Sequence, residues 1–199
     1  MKLYDFLASG NGYKVRLLLS QLGIPFTLIE RDIMKGETRT PEFLALNPNG
    51  RIPVVELDDG RRLSESDAIL FYFAEGTRFL PDERFARAEV LQWMFFEQYS
   101  HEPYIAVARF WRHWLQKPVD QEKIDRGYQA LGVMERHLAG RRFFVADRYG
   151  IADIALYAYT HVAGEGGFDL SPHPNVRAWL GRVASEPGHI PITQRTFDR

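Results

Sequence analysis

The period of apolar residues changes once along the chain, from a mixture of two-residue and helical spacing to helical spacing alone. Residues 2–6 read as a short strand, and Leu7-Ala8-Ser9-Gly10-Asn11-Gly12 is a loop rich in turn formers. Val15, Leu18, Leu19 and Leu22 then fall at i, i+3, i+4 and i+7, the stripe of an amphipathic helix stopped by Gly23 and Pro25. A second strand is predicted over 26–33, so the opening is a βαβ unit with a parallel, right-handed crossover. Thr40-Pro41-Glu42 supplies an N-cap, a proline in the first turn and an acid for a helix through Leu46, which Asn47-Pro48-Asn49-Gly50 breaks. Strands over 52–57 and 61–64 flank the hairpin turn Asp58-Asp59-Gly60, and a helix over 66–74 ends at Gly76. This order predicts a four-stranded mixed sheet with helices on its faces.

From Glu83 onward no strand pattern is found. Phe85, Ala88, Leu91 and Phe95, then Ile105, Ala108, Trp111 and Leu115, keep a helical period, with a kink expected at Pro103. Further helices are predicted over 124–138, 151–162 and 174–184. The domain expectation is therefore an α/β unit over 1–76, a linker over 77–82 and an all-helical domain over 83–199. Trp93, Phe95, Phe96, Tyr99, Tyr104, Phe110, Trp111 and Trp114 crowd one helical stretch. Most of them are expected in the core, with a second face free to line an apolar pocket.

Composition narrows the chemistry. The 199 residues suit one two-lobed domain or two small ones, and the aromatic content supplies ample bulk for a core. A net charge of −1 argues against nucleic acid as a partner. The six histidines show no metal-binding spacing, so no metal is expected. No apolar run is long enough for a membrane span, and the chain opens on a strand pattern without a signal-peptide core, which makes the cytoplasm the expected compartment. Most informative is the absence of cysteine. Disulfides, cysteinyl metal sites and a cysteine nucleophile are excluded, so any sulfur chemistry must use the sulfur of a ligand.

Three short stretches could carry function. Ser9-Gly10-Asn11-Gly12 stands at a helix N-terminus, where backbone amides and the helix dipole favour an anion; Ser9 is then an anion stabiliser or simply the helix cap. In Arg51-Ile52-Pro53-Val54, a proline at a strand entrance is either trans on an edge or cis, the latter leaving Ile52's backbone open to a ligand. Ser64-Glu65-Ser66-Asp67 opens a helix. Ser66 and the open amides suit a carboxylate and Glu65 an ammonium, together an amino-acid zwitterion, or else the stretch is a plain capping box.

With these three stretches in this order, the chain resembles the cytosolic glutathione transferases over essentially its whole length, and is most similar to bacterial members near the theta, zeta, beta and nu groups. The resemblance rests on Ser9-Gly10-Asn11-Gly12-Tyr13-Lys14-Val15-Arg16, Asn47-Pro48-Asn49-Gly50-Arg51-Ile52-Pro53-Val54 and Leu63-Ser64-Glu65-Ser66-Asp67-Ala68-Ile69. It implies a thioredoxin-like N-terminal domain that binds glutathione, an all-helical C-terminal domain and a homodimer joined through the long helices after Glu83. It also implies that Ser9, or its rival Asn11, donates to the glutathione sulfur. Pro53 takes the place of the family's cis-proline, with Ile52 pairing the cysteinyl backbone. Arg51 stands at the glycyl end, with Lys35 and Arg39 within possible reach, and Glu65 and Ser66 hold the γ-glutamyl ammonium and carboxylate. One departure is Gly150-Ile151-Ala152-Asp153, where the family's helical folding motif has Ser or Thr in place of the glycine.

The activity implied is transfer of glutathione to an electrophilic small molecule, with detoxification as the associated role. A glutathione-dependent disulfide or hydroperoxide reductase (peroxidase) and a non-catalytic binding protein of the same fold are the alternatives. Tyr104, Arg109 and Trp111 are the expected lining of the second-substrate pocket.

Overall fold

The computed structural model describes residues 1–194, which divide into two compact units: Met1–Glu75 together with the segment from Pro187 onward, and Gly76–Glu186. In the first unit, strands β1 (Lys2–Asp5), β2 (Thr27–Glu30), β3 (Val54–Glu56) and β4 (Arg62–Ser64) form one sheet in the order β2-β1-β3-β4. β1 runs parallel to β2 and antiparallel to β3, and β3 runs antiparallel to β4. The mixed sheet read from the sequence is present, each strand shorter than its apolar run.

Alternation along the strands decides which helix covers which face. Leu3 and Val55 point to one side, where they pack with Val15 and Leu19 of helix α1 (Gly10–Leu22) and Ile69 of helix α3 (Ser66–Ala74). Tyr4 and Val54 point to the other and meet Phe43 of helix α2 (Pro41–Leu46). Thr40 caps α2, its hydroxyl accepting from the Phe43 amide at 3.3 Å, with Pro41 behind it as predicted.

Residues 187–194 belong to this unit, which corrects the expectation that the helical domain runs unbroken from 83. The segment lies along α1 through hydrogen bonds to its backbone carbonyls. Ser20 donates to Gly188 O at 2.9 Å, Tyr13 Oη to Ile190 O at 2.7 Å and Arg16 Nη1 to Ile192 O at 2.9 Å.

The helical unit contains α4 (Arg84–Phe96), α5 (Glu102–Arg109), α6 (Gln121–His137), α7 (Ile151–Thr160) and α8 (Pro174–Ala184). Wide π-helical turns, Glu97–His101 and Phe110–Trp114, follow α4 and α5. The first of these absorbs Pro103, which sits in the opening turn of α5 where its missing N–H costs nothing. The stretch expected to link two domains packs inside this unit: Phe79 and Leu80 are buried, and Phe79 meets Tyr149 edge-on at 5.8 Å.

One expectation about the aromatic helices is corrected. Of the eight crowded aromatics only Trp93 is buried, against His137 and Phe144 at 4.5 and 4.6 Å. The stripe Phe85, Ala88, Leu91 and Phe95 faces outward, and α4 buries Ala86, Val90, Trp93 and Met94 instead. α4 is apolar on two faces, and periodicity alone cannot say which one a core takes.

Gly150 stands where the family motif has Ser or Thr because a Cβ there would lie 2.7 Å from Phe79 O, which already accepts from the Ile151 amide at 3.0 Å. Asp153 compensates. Its carboxylate accepts from the Gly150 amide at 3.1 Å, the Phe144 amide at 3.2 Å and Trp179 Nε1 at 2.8 Å, tying α7 to α8 and to the loop before it. Burial pushes the Asp153 carboxyl up to about 7, against these three donors, which favour the ionised form.

A folded pKa above the unfolded one means that the native state holds the extra proton between about pH 4 and 7. The stabilising contribution of this group is therefore greatest at the acid end and falls as pH rises. Urea titrations of the parent and Asp153→Asn should show the parent losing stability relative to the variant by about 1.4 kcal/mol per pH unit across this window. Parallel profiles would refute a raised Asp153 pKa.

Candidate glutathione site

The register of the sheet gathers the three suspected stretches at one end. Tyr4 pairs with Val54 and Val54 with Ser64, so the loop after β1, the turn before β3 and the turn after β4 all leave the sheet at the same edge. This is the edge where ligands of open α/β sheets bind, outside the carboxyl ends of the parallel strands.

At the first stretch the chain turns from β1 into α1. The Ser9 amide donates to Phe6 O at 2.7 Å, and Ser9 Oγ accepts from the Gly12 amide at 3.4 Å. The capping reading of Ser9 thus holds. A cap uses the oxygen as acceptor and leaves the O–H hydrogen to donate, so the two roles are compatible. Beneath the turn lies a wholly buried ion pair: Arg16 Nε meets Asp5 Oδ2 at 2.9 Å, and the same guanidinium donates to Leu7 O and to Ile192 O. Asp5 also accepts from the Phe6 amide at 2.7 Å. Burial raises its carboxyl to about 6, with Arg16 and the Phe6 amide pulling the other way. Gly12 is required by this arrangement, because a Cβ would fall 1.6 Å from Asp5 Oδ1.

At the third stretch the N-cap of α3 is Glu65, which makes no side-chain capping bond, so the plain capping box is not what forms. Glu65 is exposed and adopts φ 66°, a left-handed conformation that strains a residue with a Cβ. Ser66 is buried. Its Oγ donates to Asn11 Oδ1 at 3.4 Å and accepts from Lys14 Nζ at 3.3 Å, while Lys14 also meets Asp67 Oδ1 at 3.1 Å. Burial raises the Asp67 pKa and the Lys14 ammonium opposes the rise. The structure therefore brings Asn11 beside Ser66, a juxtaposition of α1 and α3 that spacing along the chain does not reveal. Lys14, fully buried, was missed because nothing in the sequence distinguishes it from a solvated helix lysine.

At the second stretch the Ile52–Pro53 peptide bond is cis, and Ile52 lies outside the paired register, which begins at Val54. Arg51 is exposed, its carbonyl held by Asn47 Nδ2 at 2.9 Å. Arg39 Nη1 donates to Asn49 O at 3.0 Å, and Lys35 pairs with Asp32 at 3.2 Å.

The three aromatic and basic residues expected to line a second pocket lie in the helical unit, each with its own partner. Arg109 is buried, its Nε 2.7 Å from Glu165 and its guanidinium 4.4 Å from the Trp114 ring centre. Tyr104 Oη accepts from Arg126 at 3.2 Å, and the Trp111 ring lies 5.2 Å from Lys123 Nζ. A cleft of about 270 Å³ in this unit is lined by residues 76–82 and by parts of α4, α7 and the loop before α7, and these three residues are not among its lining.

Comparison with known proteins agrees with this geometry. The family model described as "Glutathione S-transferase, N-terminal domain" matches residues 8–75, and that for the C-terminal domain matches residues 93–187. This chain belongs to the glutathione S-transferase family. A glutathione S-transferase from Pseudomonas fluorescens superposes with a TM-score of 0.95 at 53% identity, over 97% of this chain and 98% of that one. The disulfide-bond oxidoreductase YfcG of Escherichia coli is 32% identical over 92% of this chain and 89% of its own length. The yeast prion protein Ure2p, solved in complex with glutathione, matches with a TM-score of 0.85 at 26% identity, over 94% of this chain and 90% of that one.

If Gly12 is glycine because of Asp5, Gly12→Ala should drive the carboxylate off Arg16 and destabilise the fold by about 3 kcal/mol or more in urea denaturation. A loss within about 0.5 kcal/mol would mean that the pair accommodates a methyl group and does not constrain the loop.

Proposed function

We propose that the protein binds glutathione at the sheet edge described above, stabilises its thiolate and transfers it to an electrophilic small molecule. The observation that carries this reading is the convergence of two helix N-termini at one edge. Ser9 stands at α1, and the strained Glu65 with Ser66 stands at α3 beside Asn11. Ure2p, with its bound glutathione, and the transferase of Pseudomonas fluorescens support the same ligand.

The roles follow from the chemistry of each group. Glu65 accepts from the γ-glutamyl ammonium, Ser66 and the first amides of α3 donate to the carboxylate, and the Ile52 backbone pairs the cysteinyl unit, with Arg51 at the glycyl end. Ser9, with Asn11 as its rival, donates to the sulfur. A free thiol with a pKa of about 8.5 is only a few per cent ionised at neutral pH, and each unit removed corresponds to about 1.4 kcal/mol of preference for the thiolate. The thiolate attacks the electrophilic carbon, a carbon–sulfur bond forms, and the leaving group departs with the electron pair of the bond that breaks.

A second reading is favoured by the likeness to YfcG, named a disulfide-bond oxidoreductase. Without a cysteine on the chain, glutathione thiolate would attack the substrate disulfide directly, expelling one thiolate. A second glutathione would then release the other and leave as glutathione disulfide. Turnover with a chlorinated nitrobenzene, with cumene hydroperoxide and with a mixed disulfide separates the two readings.

Ser9→Ala should lower kcat by about 100-fold while glutathione affinity stays within about threefold. An unchanged kcat would move the sulfur contact to Asn11. The outward stripe of α4, with Tyr99 in the turn that follows it, supports a homodimer: Phe85, Phe95 and Tyr99 are 70%, 68% and 84% exposed. The protein should elute as a dimer, and Phe95→Glu combined with Tyr99→Glu should give a folded monomer; a monomeric parent would overturn the dimer.

A further inference from the structure

Burying an ammonium costs several kcal/mol unless its donors are satisfied, so a wholly buried lysine near a binding site calls for a reason. Lys14 is such a residue, and its ammonium meets Ser66 Oγ at 3.3 Å and Asp67 Oδ1 at 3.1 Å. An ammonium has three hydrogens to give and no lone pair to accept with. Ser66 Oγ must therefore accept from Lys14, and its own hydrogen must point away from Lys14. It points to Asn11 Oδ1 at 3.4 Å, a distance at the long end for a hydroxyl donor. A carboxylate is the stronger acceptor, so one arriving at the N-terminus of α3 takes this hydrogen from the amide oxygen.

We propose that Lys14 is a positioning residue for the α-carboxylate of the γ-glutamyl group, acting through Ser66. It occupies a lone pair of the hydroxyl, fixes the O–H as a donor toward the ligand and polarises it with a positive charge placed behind the site. Asp67, 3.1 Å from the ammonium, holds Lys14 in place. The proposal rests on the reading of Ser66 as the carboxylate-binding residue. It differs from a purely structural tie between α1 and α3 in one respect: a structural tie would affect every ligand of the site equally, whereas a positioning role concerns only ligands that carry this carboxylate.

The test is isothermal titration of the parent and Lys14→Met with glutathione and with 4-aminobutyryl-Cys-Gly, which keeps an amine and lacks the carboxylate. Lys14→Met should weaken glutathione binding about tenfold or more and change the affinity for the analogue less than about threefold. Adding Ser66→Ala to Lys14→Met should then cost little more, since both act on one interaction. Should Lys14→Met not fold with Asp67 left unpaired, Lys14→Met combined with Asp67→Asn carries the same comparison. An equal loss for both ligands, or no loss for glutathione, overturns the role of Lys14 and leaves the proposed function standing. A parent that binds no glutathione overturns both.

Discussion

The first unit depends on the buried pair of Asp5 and Arg16. Two charges taken out of water are tolerated only when they pair closely and further hydrogen bonds hold each of them. Asp5 takes Arg16 and the Phe6 amide; Arg16 also gives one hydrogen from Nη2 to Leu7 O and one from Nη1 to Ile192 O. One guanidinium thus ties together the end of β1, the loop that follows, the body of α1 and the segment around Ile192. Replacing the pair by apolar groups could preserve the packing, but it would leave the carbonyls of Leu7 and Ile192 without this donor. The loop that presents Ser9 would lose its anchor.

Lys14 and Arg16 are two residues apart on α1, which places their side chains about 200° apart around the axis. Each finds its acid on a different element, Asp67 on α3 and Asp5 on β1. A helix held by hydrophobic contacts alone can rotate a little about its axis as side chains repack. One held by two buried ion pairs on opposite sides has a defined rotation, and with it a defined direction for the amides of its first turn. This also explains why α1 is buried along so much of its length, from Tyr13 to Leu19, although its apolar stripe is narrow: two of the buried residues are charged.

The elements were legible wherever a local signal sets them. Thr40-Pro41 opens α2, Gly23 closes α1 in the left-handed conformation, and the hairpin forms around Asp58-Asp59-Gly60. The edge of the candidate site was legible for the same reason, since each of its stretches is a turn. What escaped was long-range. The residues after Pro187 were assigned to the helical domain because their bonds to Ser20, Tyr13 and Arg16 end on backbone carbonyls, which no side-chain pattern announces. Which face of α4 enters the core was not legible either, because both faces are apolar. The pairing of Arg109 with Glu165, 56 positions further along the chain, is likewise announced by no local pattern.

The electrostatics of α1 bear on the chemistry proposed for it. Its two buried cations are each matched by an acid, so at the level of whole charges they add little net positive potential at the sulfur. What remains is the helix terminus itself. The first turn of α1 contains no acid, and Gly10, Asn11 and Gly12 give it little bulk. The partial positive charge of its amides is therefore not cancelled by the helix's own side chains, as it is in α2, where Glu42 occupies the first turn. A neutral hydroxyl above an uncompensated helix N-terminus favours an anion without supplying a competing nucleophile, and the chain has no cysteine to supply one. These features suit a site in which the only reactive sulfur arrives with the ligand.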